Sequence, residues 1–134
     1  MTTRSGIARS LLVVIGLAAA ACKGSGPDVA VATGTWAGSS AAMTVTTAGA
    51  HIEFSCAVGD IPQPLMTDNG GEFSATGVYA VQVGPANGPQ QPARYTGRVD
   101  NQTMTLTVLL TGTNQTVGSF TLSFGAPATI PKCL

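Results

Sequence analysis

Between Thr35 and Phe124 apolar and polar residues alternate one by one, in short runs broken by turn residues. In residues 51–56, Ile52, Phe54 and Cys56 fall on one side and His51, Glu53 and Ser55 on the other. In residues 103–110, Met104, Leu106, Val108 and Leu110 oppose Thr103, Thr105, Thr107 and Leu109. A period of two is the repeat of a pleated strand with one buried face. An amphipathic helix would space its apolar residues three and four apart. The 17 Gly and 8 Pro, set among Thr, Ser and Val, agree with strands and turns.

Strands are predicted over residues 35–37, 42–47, 51–56, 65–67, 72–83, 93–99, 103–110 and 117–124. The longest puts Phe73, Ala75, Gly77, Tyr79, Val81 and Val83 on one face, with Gly77 marking a bend. Turns fall at Asp68-Asn69-Gly70-Gly71, Asp100-Asn101 and Thr111-Gly112-Thr113-Asn114. Residues 57–64 (AVGDIPQP) read as irregular, because proline cannot donate to a central ladder. The expectation is an all-β domain: a small antiparallel up-and-down barrel or rolled sheet of about seven or eight strands, with a β-sandwich as the alternative. The barrel is preferred because no segment is long enough to be a Greek-key crossover.

The first 21 residues read differently. Arg4 and Arg9 precede an unbroken apolar run, residues 11–21 (LLVVIGLAAAA), and Cys22 follows. A basic segment, a short apolar segment and small residues before a cut make a secretory signal, too short to span a bilayer. The residues before Cys22 resemble the lipobox of bacterial lipoproteins, in which the cysteine after the cut receives lipid and becomes the new N-terminus. Ala20 and Ala21 fit that pattern, whereas Ala19 stands where Leu is usual; Ala19-x-Ala21 also suits an ordinary signal cut. The resemblance implies a signal peptide over residues 1–21, a lipidated Cys22 with a flexible tether over 22–34, and an all-β domain over 35–134. Lys23, where an Asp would favour inner-membrane retention, leans toward the outer membrane.

With Cys22 taken by lipid, Cys56 and Cys133 remain, and export makes a disulfide between them the expected state. The processed chain keeps four basic and six acidic side chains, a formal charge of −2. Nothing in that balance offers the basic face that nucleic acid requires.

The inventory for chemistry is thin. His51 is the one histidine, no Ser stands in a G-x-S-x-G elbow, and no C-x-x-C is present. No catalytic residue, metal site or cofactor is expected. Arg94 and Arg98 lie four apart on one strand face, either a solvated face or a small anion-facing patch. Trp36 is read as a plug at one end of a barrel, or else as a ligand contact.

Gly34-Thr35-Trp36, opening an all-β meander, resembles the G-x-W that opens lipocalins and avidin-like barrels, and residues 94–100 (RYTGRVD) resemble an avidin-like strand and turn. Over the whole chain the closer resemblance is to small exported bacterial lipoproteins with an all-β domain and one disulfide. Two functions follow as expectations. One is a non-catalytic binding or structural module anchored to the cell envelope, contacting envelope components or another protein through the loop 84–92 or the polar strand faces, with Trp36, Arg94 and Arg98 as candidate contacts to a ligand or partner. The alternative is a lipocalin-like carrier of a small apolar ligand.

Overall fold

The computed structural model describes residues 28–131 and Cys133. The expected signal peptide and Cys22 lie outside the described residues. Eleven strands follow in chain order: β1 (Val29–Ala30), β2 (Gly34–Ala37), β3 (Ala41–Val45), β4 (Ala50–Phe54), β5 (Ala57–Ile61), β6 (Met66–Thr67), β7 (Glu72–Val83), β8 (Ala86–Asn87), β9 (Gln91–Asp100), β10 (Thr103–Leu110) and β11 (Gln115–Phe124). Among the described residues there is no helix.

Eight strands close a barrel in the order β2-β3-β4-β5-β7-β9-β10-β11, with β11 returning to β2. Every pairing is antiparallel, and all but the closing one join consecutive strands of the barrel, with β6 and β8 lying in the connections after β5 and β7. This is the up-and-down barrel, not the sandwich. An even number of alternating strands closes without a parallel pair, which removes the exposed sheet edges.

The strand boundaries follow local chemistry. Asn101 and Asn114 both take φ 55°, the left-handed conformation that asparagine tolerates best among residues with a Cβ, and both sit in predicted turns. Asp68 Oδ1 accepts the amides of Gly70 at 2.8 Å and Glu72 at 3.0 Å, closing the turn before β7. Alternation holds around the barrel: in β10 the inward Met104, Leu106 and Val108 are wholly buried, while Thr103 and Thr105 are exposed.

Several expectations are corrected. Residues 57–61 form β5, a regular barrel strand between β4 and β7. Pro62 and Pro64 lie just beyond its end, so their missing N–H groups cost the ladder nothing. Cys56 does not continue the inward face of β4; it lies half-buried in the turn between β4 and β5. The short strand expected at 65–67 is β6, which pairs with β1 rather than entering the barrel. Val81 and Val83 are not core residues: β7 runs past its last barrel pairing, Ala57 with Val81, and folds back as a hairpin with β8. Both valines are exposed there.

The interior is filled by side chains. Met43, Ile52, Tyr95, Met104, Leu106, Val108 and Leu122 show no accessible surface. A side chain lining even a sealed cavity wide enough for water would show some. Gly59 and Gly97 make room for the large rings: a Cβ at Gly59 would strike the Tyr95 hydroxyl, and one at Gly97 would lie 2.6 Å from the Phe73 ring. Small residues opposite large ones are how a narrow barrel fills its taper.

Candidate functional site

Because the strands alternate in direction, every connection belongs to one of two ends. The chain enters at the end that also holds the β3–β4, β5–β7 and β9–β10 connections, and β11 finishes there. The opposite end carries the β2–β3 and β4–β5 turns, the β7–β8 hairpin and the β10–β11 turn.

The entry end is closed. β1 pairs with β6, Val31 N–H donates to Leu65 O at 2.9 Å, and the Thr67 hydroxyl donates to Val29 O at 3.0 Å. Beneath this cover Trp36 is 1% exposed and donates its indole N–H to Ala32 O at 3.0 Å. Phe124 packs edge-on against it, ring centroids 5.0 Å apart. Trp36 thus has neither a free face nor a free N–H here. The segment expected to be tether is already part of this cover from Val29 onward.

The opposite end is different. Phe54 packs against Tyr79 and Phe120, with centroids at 5.5 and 5.1 Å, and these rings seal the core. Outside that seal lies a half-open cleft of about 500 Å³. Its floor is Phe54, Ala57 and Val58; one side is Gln82, Gly84 and Pro85 of the β7–β8 hairpin. The other side is the C-terminal tail, through Ala128, Ile130, Pro131 and Cys133. The tail leaves β11 at the entry end, where Gly125 N–H donates to Thr35 O at 2.8 Å. It then travels to the opposite end, where Cys133 N–H donates to Ser55 O at 3.1 Å and Cys133 meets Cys56 as a disulfide pair, Cα–Cα 5.1 Å. The tail makes that passage in eight residue steps, which can span at most about 26–29 Å.

Arg94 and Arg98 are exposed on the outer face of β9, remote in the ladder from the cleft. Arg98 stands directly across from Glu72, and neither arginine has an ion-pair partner within 4.0 Å among the described residues. Sequence reasoning missed the neighbour of His51. In the β4–β5 ladder His51 lies opposite Asp60, and its Nδ1 donates to Asp60 Oδ1 at 2.7 Å, since a carboxylate can only accept. The alternation Ala57, Gly59, Ile61 against Val58, Asp60 carried the signal for that pairing. Glu53 Oε1 lies 4.0 Å from Nε2, all three side chains are roughly half exposed or more, and no hydroxyl or thiol bonds to Nε2 among the described residues. A histidine oriented by an acid but facing solvent, without a nucleophile, lacks the parts of a hydrolytic triad. Among the described residues no group of three or more His, Cys, Asp or Glu is placed to hold a metal ion.

Two phenols are perturbed. Burial raises Tyr79 above its ordinary range. Tyr95 is raised further, by burial first and then by the negative charge of Asp60 and the neighbouring Tyr79, and its hydroxyl donates to Val78 O at 2.6 Å inside the wall. Both stay neutral across the physiological range and act as packing groups.

No family model, curated protein or solved structure matches this chain.

Proposed function

We propose that this chain is an exported, lipid-anchored protein of the bacterial cell envelope, outer rather than inner membrane, whose barrel is a non-catalytic binding module. The observation that carries this reading is the separation of the two ends. The chain enters at the closed end, and the cleft walled by the hairpin and the tail lies at the other; the larger hollow at the entry end, about 1020 Å³ beside the β9–β10 turn, is an open surface depression lined only by exposed polar side chains such as Arg98, Asp100 and Thr105. Between a lipidated Cys22 and the first described residue, Asp28, there are six residue steps, at most about 20–22 Å of chain. An anchor so close to the entry end holds that end against the bilayer and turns the cleft outward. Several acyl chains suffice for such an anchor, at about 0.8 kcal/mol per buried CH₂. The exposed, nucleophile-free His51–Asp60 pair supports a module without catalysis. The packed interior gives the alternative, an internal carrier of an apolar ligand, no support.

Two measurements test the reading. Metabolic labelling with a fatty-acid analogue should mark the protein and vanish in Cys22→Ser; labelling that persists in that variant refutes the anchor. A photo-crosslinking residue at Pro85, on the cleft, should capture an envelope component in intact cells, and one at Thr107, on the opposite strands, should not. Equal capture from both positions, or none from Pro85, refutes the cleft as the contact site.

A further inference from the structure

The cleft has a wall that is held almost entirely by one covalent bond. Between Ala126 and Cys133 the tail makes no backbone hydrogen bond to the barrel among the described residues. Ala126 N–H reaches only Ser123 O within its own turn, at 3.4 Å. Pro127, Ala128, Thr129 and Pro131 are exposed, and Ile130 alone is half-buried along the cleft. At its base the tail leaves the sheet through Gly125, whose φ of 76° is the left-handed conformation glycine adopts freely. At its far end stand the hydrogen bond that the Cys133 N–H donates to Ser55 O and the bridge to Cys56. None of the pairings that close the barrel includes a residue beyond Phe124.

We infer that the Cys56–Cys133 disulfide is a redox latch on the cleft. Resting on the reading of the cleft as a contact site, the inference adds how that site is regulated. The reductant is a dithiol. Its thiolate attacks the sulfur of Cys133, the more exposed of the two residues. A mixed disulfide forms and Cys56 leaves as thiolate; the second thiol of the reductant then displaces Cys133. The dithiol ends as a disulfide, and Cys56 and Cys133 end as two thiols, having gained two electrons and two protons. Released at Cys133, residues 126–131 swing away about Gly125, and the cleft loses one wall while the barrel stays closed.

The test is backbone ¹⁵N relaxation on the processed, anchored protein in micelles, before and after dithiothreitol. Oxidised, the amides of Ala128, Thr129 and Ile130 should show order parameters near those of rigid backbone, about 0.85; reduced, they should fall below about 0.6. The amides of Met104, Leu106 and Val108 in β10 should keep their shifts and their order in both states. Cys133→Ser without reductant should reproduce the reduced spectrum. Tail order unchanged by reduction overturns the latch, because the tail is then held by other contacts. Loss of the β10 signals together with the tail also overturns it, because the bridge is then required for the whole fold. Crosslinking from Pro85 reads the cleft as a contact site independently, so each claim can fail alone.

Discussion

Gly59 and Tyr95 are the sharpest local test of how the barrel is packed. A methyl at Gly59 would strike the Tyr95 hydroxyl, and it would also lie 3.1 Å from the ring carbon bearing that hydroxyl and 3.3 Å from Val78 O. The ring has nowhere to go, since Tyr95 shows no accessible surface and its hydroxyl is held by Val78 O. Overpacking of this kind costs about 1–3 kcal/mol, and a site hemmed in by a buried ring and by backbone falls at the upper end, about 3; the entropic advantage of Ala over Gly in a strand offsets up to about 1 kcal/mol of it. Gly59→Ala alone should therefore destabilise by about 2 kcal/mol. Tyr95→Phe removes one buried hydrogen bond, about 1 kcal/mol. In the double variant the methyl takes the space the hydroxyl vacated. The expected total is about 1.5 kcal/mol rather than the additive ~3, a coupling of about 1.5 kcal/mol. At about 4 °C per kcal/mol for a domain of this size, the double variant should melt about 6 °C above the additive expectation. Urea unfolding of the four proteins, with equal m-values, measures the cycle. Costs that add to within ~0.5 kcal/mol would refute the argument that the glycine exists to seat the hydroxyl.

Removing the disulfide by Cys133→Ser should lower the stability of the whole domain by up to about 4.5 kcal/mol, the loop-entropy value for a separation of 77 residues, read from chemical denaturation with and without reductant. A variant as stable as the oxidised parent would mean that the bridge constrains the unfolded chain little. The pH dependence has a definite sign. Tyr95 and Tyr79 have folded values raised above the unfolded value of about 10, so their contribution is complete below pH ~10 and is lost as pH climbs beyond it. The melting temperature should fall above pH ~10, and less steeply in Tyr95→Phe; an equal slope in the two proteins would place the alkaline transition elsewhere.

The barrel was legible because period-two alternation survives in nearly every strand and the turn residues sit where the chain reverses. Asn101, Asn114 and Gly71 announced their turns through the backbone conformations they tolerate. What could not be read was where a strand's neighbours stop. Nothing local to Val81 and Val83 distinguishes them from Phe73 and Ala75; they are exposed because β9, the partner on one edge, makes its last pairing with Tyr79, and β5, on the other edge, makes its last with Val81. Proline misled in the opposite sense: Pro62 forbids a central pairing only at its own position, so β5 could run up to it. The cleft was invisible for a third reason. Its floor, hairpin and tail come from three distant stretches of sequence, and only the path of residues 125–131 across the barrel and the joining of Cys133 to Cys56 bring them together.

The closing seam sets the order in which the molecule assembles. β2 meets β11 through two residue pairs, Trp36 with Phe124 and Ala37 with Ser123, whereas β10 meets β9 through eight. Each of the other barrel pairings joins consecutive strands of the barrel and closes a short loop. The seam joins the first barrel strand to the last, and its entropic cost is met only once the meander has curled far enough to bring them together. Zipping of Trp36 onto Phe124 is therefore a late event. Weakening it should hasten unfolding while leaving the rate of folding almost untouched.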